Sequence, residues 1–213
     1  MDSLQGIDRI RHDGEVIATI QNILPTAVTS SALEIRETQL PGVLLLTPKV
    51  FRDERGFFLE SFNEASFADA GLDARFVQDN HSRSAKGVLR GLHYQLRHPQ
   101  GKLVRAVRGK IFDVAVDVRK GSPTFGNWAG VTLDDREMSA LWIPPGFAHG
   151  FCALSDGADV TYKCTDFYAP SDERGVLWND PLLGISWPVK NPIVNAKDLS
   201  YPPLRKDSPD LPG

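Results

Sequence analysis

The 213-residue sequence has few of the features that mark several large classes of protein. Its only two cysteines, Cys152 and Cys164, are spaced neither as a disulfide framework nor as a zinc-binding pair. It has no apolar run long enough to cross a bilayer and no secretory leader pattern, so we expect a cytoplasmic protein that does not span a membrane. The net charge of −3 disfavours nucleic acid as a partner, because binding to phosphate backbones relies on a basic face. A small anionic ligand is compatible with this charge, since a few local arginines suffice to bind it.

Composition divides the chain into three parts. Residues 1–35 are polar and include a linker-like run at 25–31, so we expect an amino-terminal extension that is partly disordered or lies on the surface. Residues 36–203 form the predicted domain. The tail at 204–213 is rich in proline and aspartate and is expected to be irregular.

Short apolar runs separated by glycine and proline turns dominate the predicted domain. One short helix is predicted at 63–70, with Asn63 as its N-cap. The pair Arg108-Gly109 between strands at 102–107 and 110–118 predicts a hairpin, and the second strand alternates in polarity. Many short strands and almost no helix predict an all-β sandwich or barrel. Further strands are predicted at 43–46, 57–62, 128–133, 140–143, 150–154 and 159–165.

Two segments contain candidates for chemistry. Residues 87–95 place Arg90 and His93 on either side of Gly91, which suits an anionic ligand close to the backbone. The plainer alternative is a half-exposed histidine in a hairpin. Residues 142–151 contain the pattern P-x-G-x-x-H, which ends at His149 and is the second half of the metal-binding cupin signature.

The first half of that signature is missing. Tyr94 and Gln95 follow His93, the next histidine is His98 beside a proline, and no glutamate occurs between 92 and 116. This spacing cannot supply a three-histidine or two-histidine-carboxylate ligand set. We therefore expect no metal.

Taken together, the motifs resemble the dTDP-4-dehydrorhamnose 3,5-epimerase family, the sugar-nucleotide epimerases of rhamnose synthesis, from residue 38 to about 202. The matching stretches are R-D-E-R-G-F-F-L-E at 52–60, Q-D-N-H-S at 78–82, G-V-L-R-G-L-H-Y-Q at 87–95, G-K-L-V-R at 101–105, I-F-D-V at 111–114, G-S-P-T-F-G at 121–126, the segment 143–151, Y-K-C at 162–164 and W-N-D-P at 178–181. The resemblance implies an all-β, cupin-type (jelly-roll) β-barrel with short peripheral helices. It also implies a homodimer that uses neither a metal nor an organic cofactor.

Four catalytic roles are implied by this resemblance. His93 would be the general base, Asp198 its orienting partner, Tyr162 the general acid on the opposite face of the sugar, and Lys102 the group that stabilises the enolate oxygen. A ketone acidifies hydrogens on both neighbouring carbons, so one base can serve C3 and C5. A lysine interacts more strongly with the enolate than with the ketone and so lowers the barrier. By pattern alone, plainer interpretations are a core tyrosine, a solvated strand lysine and a loop carboxylate.

The resemblance further implies a site for a nucleotide-sugar substrate. Arginines pair well with a diphosphate, and an aromatic ring can stack on thymine. Some of these contacts would come from the partner subunit through exchanged amino-terminal strands. The implied substrate-binding residues are Arg55, Phe58, Glu60, Gln78, Asn80, Arg90, His149 and Tyr168.

The sequence departs from the family pattern in three places. Residues 1–35 have no counterpart in the short members, Pro145 stands where many members have glutamate, and Asn195 and Tyr201 stand where serine and alanine are expected near Asp198. We predict an isomerase that epimerises C3 and C5 of a dTDP-4-keto-6-deoxyhexose. The alternatives are a single-site 3- or 5-epimerase, a metal-dependent cupin oxygenase, and a nucleotide-sugar binder without activity. A binder needs no acid–base pair, which speaks against the last.

Overall fold

A computed structural model describes residues 23–29 and 33–213 of the protein. Strands dominate this part of the chain, and its two helices are short, which confirms the predicted all-β class. The helices are α1 (Glu64–Asp69) and α2 (Ala196–Leu199). The strands are β1 (Ile23–Thr29), β2 (Leu33–Thr38), β3 (Leu44–Pro48), β4 (Val50–Asp53), β5 (Gly56–Leu59), β6 (Gln78–Ser84), β7 (Leu89–Gln95), β8 (Lys102–Arg108), β9 (Lys110–Asp117), β10 (Trp128–Asp134), β11 (Ala140–Ile143), β12 (Phe147–Ala153), β13 (Ala158–Cys164) and β14 (Glu173–Gly175).

Two antiparallel sheets face each other, and a small hairpin lies apart from both. The seven-stranded sheet has the order β1-β2-β3-β11-β8-β13-β6, and the five-stranded sheet has the order β10-β9-β12-β7-β14. Strands β4 and β5 pair only with each other. Neighbours in each sheet are mostly distant in sequence, so residues from far-apart motifs meet in the space between the sheets.

The side chains of β9 alternate as predicted and separate two layers of the core. Ile111 and Ala115 are buried in the cluster between the sheets. Phe112, Val114 and Val116 are buried on the other face of the five-stranded sheet, under the carboxyl-terminal segments. Burying large apolar side chains of this kind contributes about 1.5 to 3 kcal/mol each, so β9 stabilises both layers.

The carboxyl-terminal tail contains no helix or strand, yet it is firmly attached. Leu204 and Leu211 are buried against the five-stranded sheet. The Tyr94 hydroxyl donates a hydrogen bond of 2.6 Å to the Asp210 carbonyl. The irregular tail therefore covers one face of the core.

The predicted hairpin at Arg108-Gly109 is wrong. Strand β8 pairs with β11 and β13, whereas β9 pairs with β10 and β12, so the turn connects the two sheets. Gly109 has a φ of +75°, which glycine adopts without strain, and its N–H donates to Asp135 Oδ2 at 2.7 Å. A local turn signal does not reveal whether the next strand joins the same sheet.

The linker interpretation of 25–31 is also wrong within the described residues. Ile23–Thr29 forms β1, which pairs with β2 at the edge of the large sheet, as its threonines and valine favour. Strand β2 crosses the predicted boundary at 35/36, and its residues Leu33 and Ile35 are buried. The rest of the predicted extension, residues 1–22 and 30–32, lies outside the described residues.

The predicted N-cap of the first helix is confirmed. Asn63 Oδ1 accepts a hydrogen bond of 3.2 Å from the Ser66 N–H, which satisfies one of the free amides at the start of α1. The buried Phe67 of this helix packs on the outer face of the seven-stranded sheet. In residues 23–29 and 33–213, no helix has the length and apolar character that crossing a membrane requires.

Candidate active site

A cavity of about 330 Å³ lies between the sheets, and both sheets contribute polar side chains to it. Tyr162 and Lys102 come from β13 and β8 of the large sheet, and His93 comes from β7 of the small sheet. The predicted base and the predicted acid are therefore presented by opposing sheets. The cavity is lined by Gln78, Asn80, His93, Tyr94, Gln95, Gln100, Lys102, Tyr162, Tyr168 and Glu173.

His93 and Asp198 form a hydrogen-bonded pair. Nε2 of His93 lies 2.8 Å from Asp198 Oδ1, and the other carboxylate oxygen accepts the Gly91 N–H at 3.0 Å. Burial acts to raise the pKa of Asp198, but the hydrogen bonds from His93 and Gly91 outweigh it and lower that pKa. Asn195 caps α2 by accepting the Asp198 N–H at 2.7 Å, which fixes the carboxylate in place. The pair can therefore hold the imidazole in one orientation and stabilise its protonated form.

Lys102 is buried, with only 9% of its surface exposed. Burial lowers the pKa of Lys102, and the negative charges of Asp113 and Glu173 act to raise it. An ammonium group in such a poorly solvated site interacts strongly with any negative charge that develops in the cavity. Lys102 is thus suited to stabilise an oxyanion.

Tyr162 is partly buried and packs against the central cluster. Burial raises the pKa of its phenol, so the hydroxyl stays protonated near neutral pH. A protonated tyrosine facing the cavity can donate a proton to a carbanion or enolate.

Three of the predicted substrate-binding residues, Gln78, Asn80 and Tyr168, line this cavity. Gln78 connects them, since its Nε2 donates to Asn80 Oδ1 at 3.0 Å and its Oε1 accepts the Tyr168 N–H at 2.8 Å. The Tyr168 ring is 49% exposed at the rim of the cavity. Its position is suitable for stacking on a planar base.

Arg90 and His149 do not line the cavity, although both are close to it. Arg90 is exposed and donates through Nε to Ser84 Oγ at 3.0 Å. His149 is buried opposite His93 on the neighbouring strand β12, where its Nε2 lies 2.5 Å from Asp113 Oδ1. His149 therefore supports the site from within the core in this chain.

Arg55, Phe58 and Glu60 are not brought to the cavity of the same chain. Arg55 and Phe58 belong to the β4–β5 hairpin, and Glu60 follows it directly. Arg55 forms an ion pair with Asp53, and the Phe58 ring is 69% exposed.

Glu173, which lies on β14 at the cavity, was not predicted from the sequence. Its carboxylate accepts hydrogen bonds from Lys197 Nζ at 2.7 Å, from the Tyr201 hydroxyl at 3.1 Å, and from the Tyr168 hydroxyl. Burial acts to raise the pKa of Glu173, but the hydrogen bonds from Lys197 and Tyr168 lower it. The turn-like sequence around Glu173 contains no motif that could have indicated this role.

Gln95 was missed as well, although it ends the densest motif of the sequence. Its Oε1 accepts the Ala169 N–H at 2.7 Å, and its Nε2 donates to the carbonyls of His98 and Phe167. The buried amide thereby holds the loop that carries Tyr168. Within residues 23–29 and 33–213, there is no group of three or more histidine, cysteine, aspartate or glutamate side chains that could hold a metal ion.

A histidine–carboxylate pair faces a protonated tyrosine across this cavity. A buried lysine lies on the same sheet as the tyrosine. Such a set of groups is suited to an enzyme that moves protons at a carbon next to a carbonyl group. The family model of dTDP-4-dehydrorhamnose 3,5-epimerase matches residues 37–206. The chain belongs to this family of isomerases.

Individual relatives agree with this assignment. The dTDP-4-dehydrorhamnose 3,5-epimerase of Shigella flexneri is 58% identical over 170 residues, which cover 79% of this chain and 94% of that protein. The crystal structure of the dTDP-6-deoxy-D-glucose-3,5-epimerase of Legionella pneumophila, in complex with dTDP-4-keto-L-rhamnose, is 49% identical with a TM-score of 0.81. It covers 84% of this chain and 97% of that one.

A 3'-monoepimerase from Streptomyces bikiniensis, solved in complex with dTDP-quinovose, is a more distant neighbour. It is 38% identical, has a TM-score of 0.74, and covers 78% of this chain and 85% of that one. The likeness to the solved epimerases confirms the predicted cupin-like jelly-roll architecture, with sheets that are not closed into a continuous barrel.

Proposed function

We propose that the chain converts dTDP-4-dehydro-6-deoxyglucose to dTDP-4-dehydrorhamnose by epimerising C3 and C5, with His93 as base and Tyr162 as acid. The relatives from Shigella flexneri and Legionella pneumophila, which are 58% and 49% identical to this chain, carry a 3,5-epimerase activity in their names. The assignment of roles is supported by one observation: His93, which is hydrogen-bonded to Asp198, and Tyr162 lie on opposing sheets around one cavity. Epimerisation needs a proton acceptor on one face of the sugar and a donor on the other.

The reaction begins when His93 removes a proton from the carbon next to the ketone. Because Asp198 occupies Nε2 at 2.8 Å, Nδ1 is the nitrogen available to the substrate. The C–H electron pair forms the enolate, and its negative oxygen is stabilised by the Lys102 ammonium. Asp198 stabilises the imidazolium that results.

Tyr162 then delivers its hydroxyl proton to the other face of the same carbon. The phenolate regains a proton from solvent, and the His93 imidazolium loses its proton to solvent, so that both groups return to their starting states. Both C3 and C5 flank the same ketone, and one oxygen-binding group therefore serves both steps. The amide groups of Gln78 and Asn80 and the ring of Tyr168 hold the nucleotide portion.

Solvent labelling tests the double epimerisation. In heavy water, dTDP-4-dehydro-6-deoxyglucose should acquire deuterium at both C3 and C5, as measured by mass spectrometry and NMR. Label at only one carbon, with the other never exchanged, would replace this proposal by a single-site epimerase. No label at either carbon would overturn the assignment of the activity.

The proposed active form is a homodimer in which the β4–β5 hairpin of one chain reaches the cavity of the other. The hairpin exposes Phe51, Phe57 and Phe58, which are 53%, 59% and 69% exposed. Three exposed aromatic rings on one small hairpin form an apolar surface of the kind that contacts a partner. The placement of Arg55 away from its own cavity supports the same arrangement.

Complementation between two inactive variants tests this exchange. His93→Asn chains and Arg55→Ala chains are each expected to be nearly inactive. If Arg55 acts in the partner's site, a mixed dimer contains one site with an intact His93 and an intact Arg55, so mixing after mild unfolding restores activity. If Arg55 acts in its own chain, no mixed site is complete and activity stays absent. Light scattering on the same samples measures the molar mass and so shows whether dimers form.

A further inference from the structure

The ring of Tyr201 lies against the edge of the His93 imidazole. The ring centroids are 5.6 Å apart and the planes meet at 66°, which is a T-shaped contact. Tyr201 belongs to the segment that follows α2, and Leu177 N–H donates to the carbonyl of the next residue, Pro202, at 2.9 Å. This hydrogen bond anchors the backbone next to Tyr201 to the segment that contains Leu177.

A glycine makes room for this ring. Gly175 on β14 is the cross-strand partner of His93 on β7. A Cβ at Gly175 would lie 2.4 to 2.6 Å from three atoms of the Tyr201 ring, a distance that real Cβ atoms do not adopt. The Tyr201 ring thus occupies the space that a side chain opposite His93 would otherwise fill.

The Tyr201 hydroxyl is tied to the cavity as well. It donates to Glu173 Oε1 at 3.1 Å, and the same carboxylate binds Lys197 and Tyr168. Burial and the nearby Glu173 charge raise the pKa of Tyr201 to about 12, so the phenol remains a donor throughout the neutral range. One side chain therefore connects His93 with Glu173.

We propose that Tyr201 is a positioning residue that holds the His93 ring at the angle needed for proton abstraction, an inference that rests on the proposed function. Asp198 contacts only one nitrogen of the imidazole and leaves the ring free to rotate about that hydrogen bond. The Tyr201 ring blocks this rotation by contact with the imidazole. The hydroxyl bond to Glu173 keeps the tyrosine ring itself in place.

Replacing the ring separates positioning from binding. In Tyr201→Leu, kcat is expected to fall by about 10- to 100-fold, because a small misplacement of a catalytic group costs up to about 10²-fold. The KM and the affinity for dTDP should stay unchanged. Tyr201→Phe keeps the ring over Gly175 and should retain most of kcat. A Leu variant with the kcat of the wild type would overturn the proposal, and so would a loss confined to KM.

Gly175→Ala provides a second, independent test. The added Cβ must displace the Tyr201 ring, so kcat should fall as in Tyr201→Leu. In the double variant the alanine should cost nothing further, because the ring it displaces is gone; this non-additivity is the signature of one shared contact. Additive losses would show that the glycine and the tyrosine act separately and would contradict the proposal.

Phe76→Leu serves as the matched control. Phe76 makes a similar edge contact, with Trp142 at 6.0 Å and 81°, in the cluster on the outer face of the large sheet. It should lower stability and leave kcat unchanged. Carbon-13 relaxation of the His93 imidazole, measured with dTDP bound, reports the mobility of the ring without turnover. A more mobile imidazole in Tyr201→Leu, with Tyr201→Phe like the wild type, supports the proposal even if the wild type fails to epimerise, which would overturn only the proposed function. Unchanged mobility in Tyr201→Leu contradicts the proposal.

Discussion

His149 Nε2 lies 2.5 Å from Asp113 Oδ1, and both side chains are almost fully buried near Lys102. Burial lowers the pKa of His149, although the Asp113 charge acts to raise it. The same charge acts against the lowering of the Lys102 pKa by burial. Asp113 therefore helps to keep Lys102 protonated.

Removing this charge should shift the pH dependence of the reaction. In Asp113→Asn, the pKa of Lys102 falls further, so the cation is lost at a lower pH than in the wild type. The alkaline limb of kcat/KM should therefore move to lower pH. Asp69→Asn, at the exposed end of α1, is the control that should leave the profile in place. An unmoved alkaline limb in Asp113→Asn would show that Asp113 does not support Lys102.

His93→Asn should abolish epimerisation and leave the fold intact. Asparagine approximates the shape of part of the imidazole but accepts no proton at neutral pH, so kcat should fall by about 10²- to 10⁴-fold. Thermal unfolding and dTDP titration should match the wild type. His98→Asn is a matched control, because the His98 side chain is 62% exposed and does not line the cavity. Substantial turnover by His93→Asn would assign the base to another residue.

Tyr162→Phe should separate proton removal from epimer formation. His93 can still remove a proton and return a deuteron to the same face, so solvent exchange with retention should continue. The formation of epimer should fall by about 10²-fold, since the donor on the opposite face is missing. NMR in heavy water measures both rates in one sample. Equal rates of exchange and epimerisation in Tyr162→Phe would mean that another group is the acid.

Asp117 should make the fold sensitive to acid. Burial acts to raise its pKa, but hydrogen bonds from Arg119, Ser122 and Thr124 lower it to about 2. Because the folded-state pKa is depressed, the stabilisation is present above the unfolded-state value and is lost as the pH falls from about 4 to about 2. Its size is about 2 kcal/mol.

Urea unfolding at neutral and acidic pH measures this contribution. The wild type should lose more free energy of unfolding on acidification than Asp117→Asn, which has no carboxylate to take up a proton at this position. Asp207→Asn is the control, since Asp207 pairs with Arg205 on an exposed segment and should behave like the wild type. Equal acid losses in the wild type and Asp117→Asn would refute the role of Asp117.

Local patterns in the sequence were enough for several structural features. The alternation along 110–118 reflects the two-residue period of a strand and correctly separated the two buried faces of β9. Asn63 was identified as an N-cap because capping depends on residues that are close in sequence. The family resemblance supplied the candidates His93, Lys102 and Tyr162, which share one cavity in the structure.

Turn signals and composition failed where the outcome depended on distant partners. Gly109 allows a turn, but only the pairing of β8 with β13 and of β9 with β12 decides that the chain changes sheets there. The segment 25–31 resembles a linker in composition, but most of it forms a strand because it pairs with β2. The local sequence does not show which strands will become hydrogen-bonding partners in a sheet.

The sequence by itself determined that this is a strand-rich epimerase of the dTDP-sugar family, because motif and periodicity are local properties. The family resemblance already paired Asp198 with His93, but only the tertiary structure placed Glu173 at the cavity and set the Tyr201 ring against the imidazole. These contacts join residues separated by about a hundred positions or belong to a segment that departs from the family pattern. Their existence depends on how the two sheets and the carboxyl-terminal segment pack, since packing brings distant side chains within hydrogen-bonding distance.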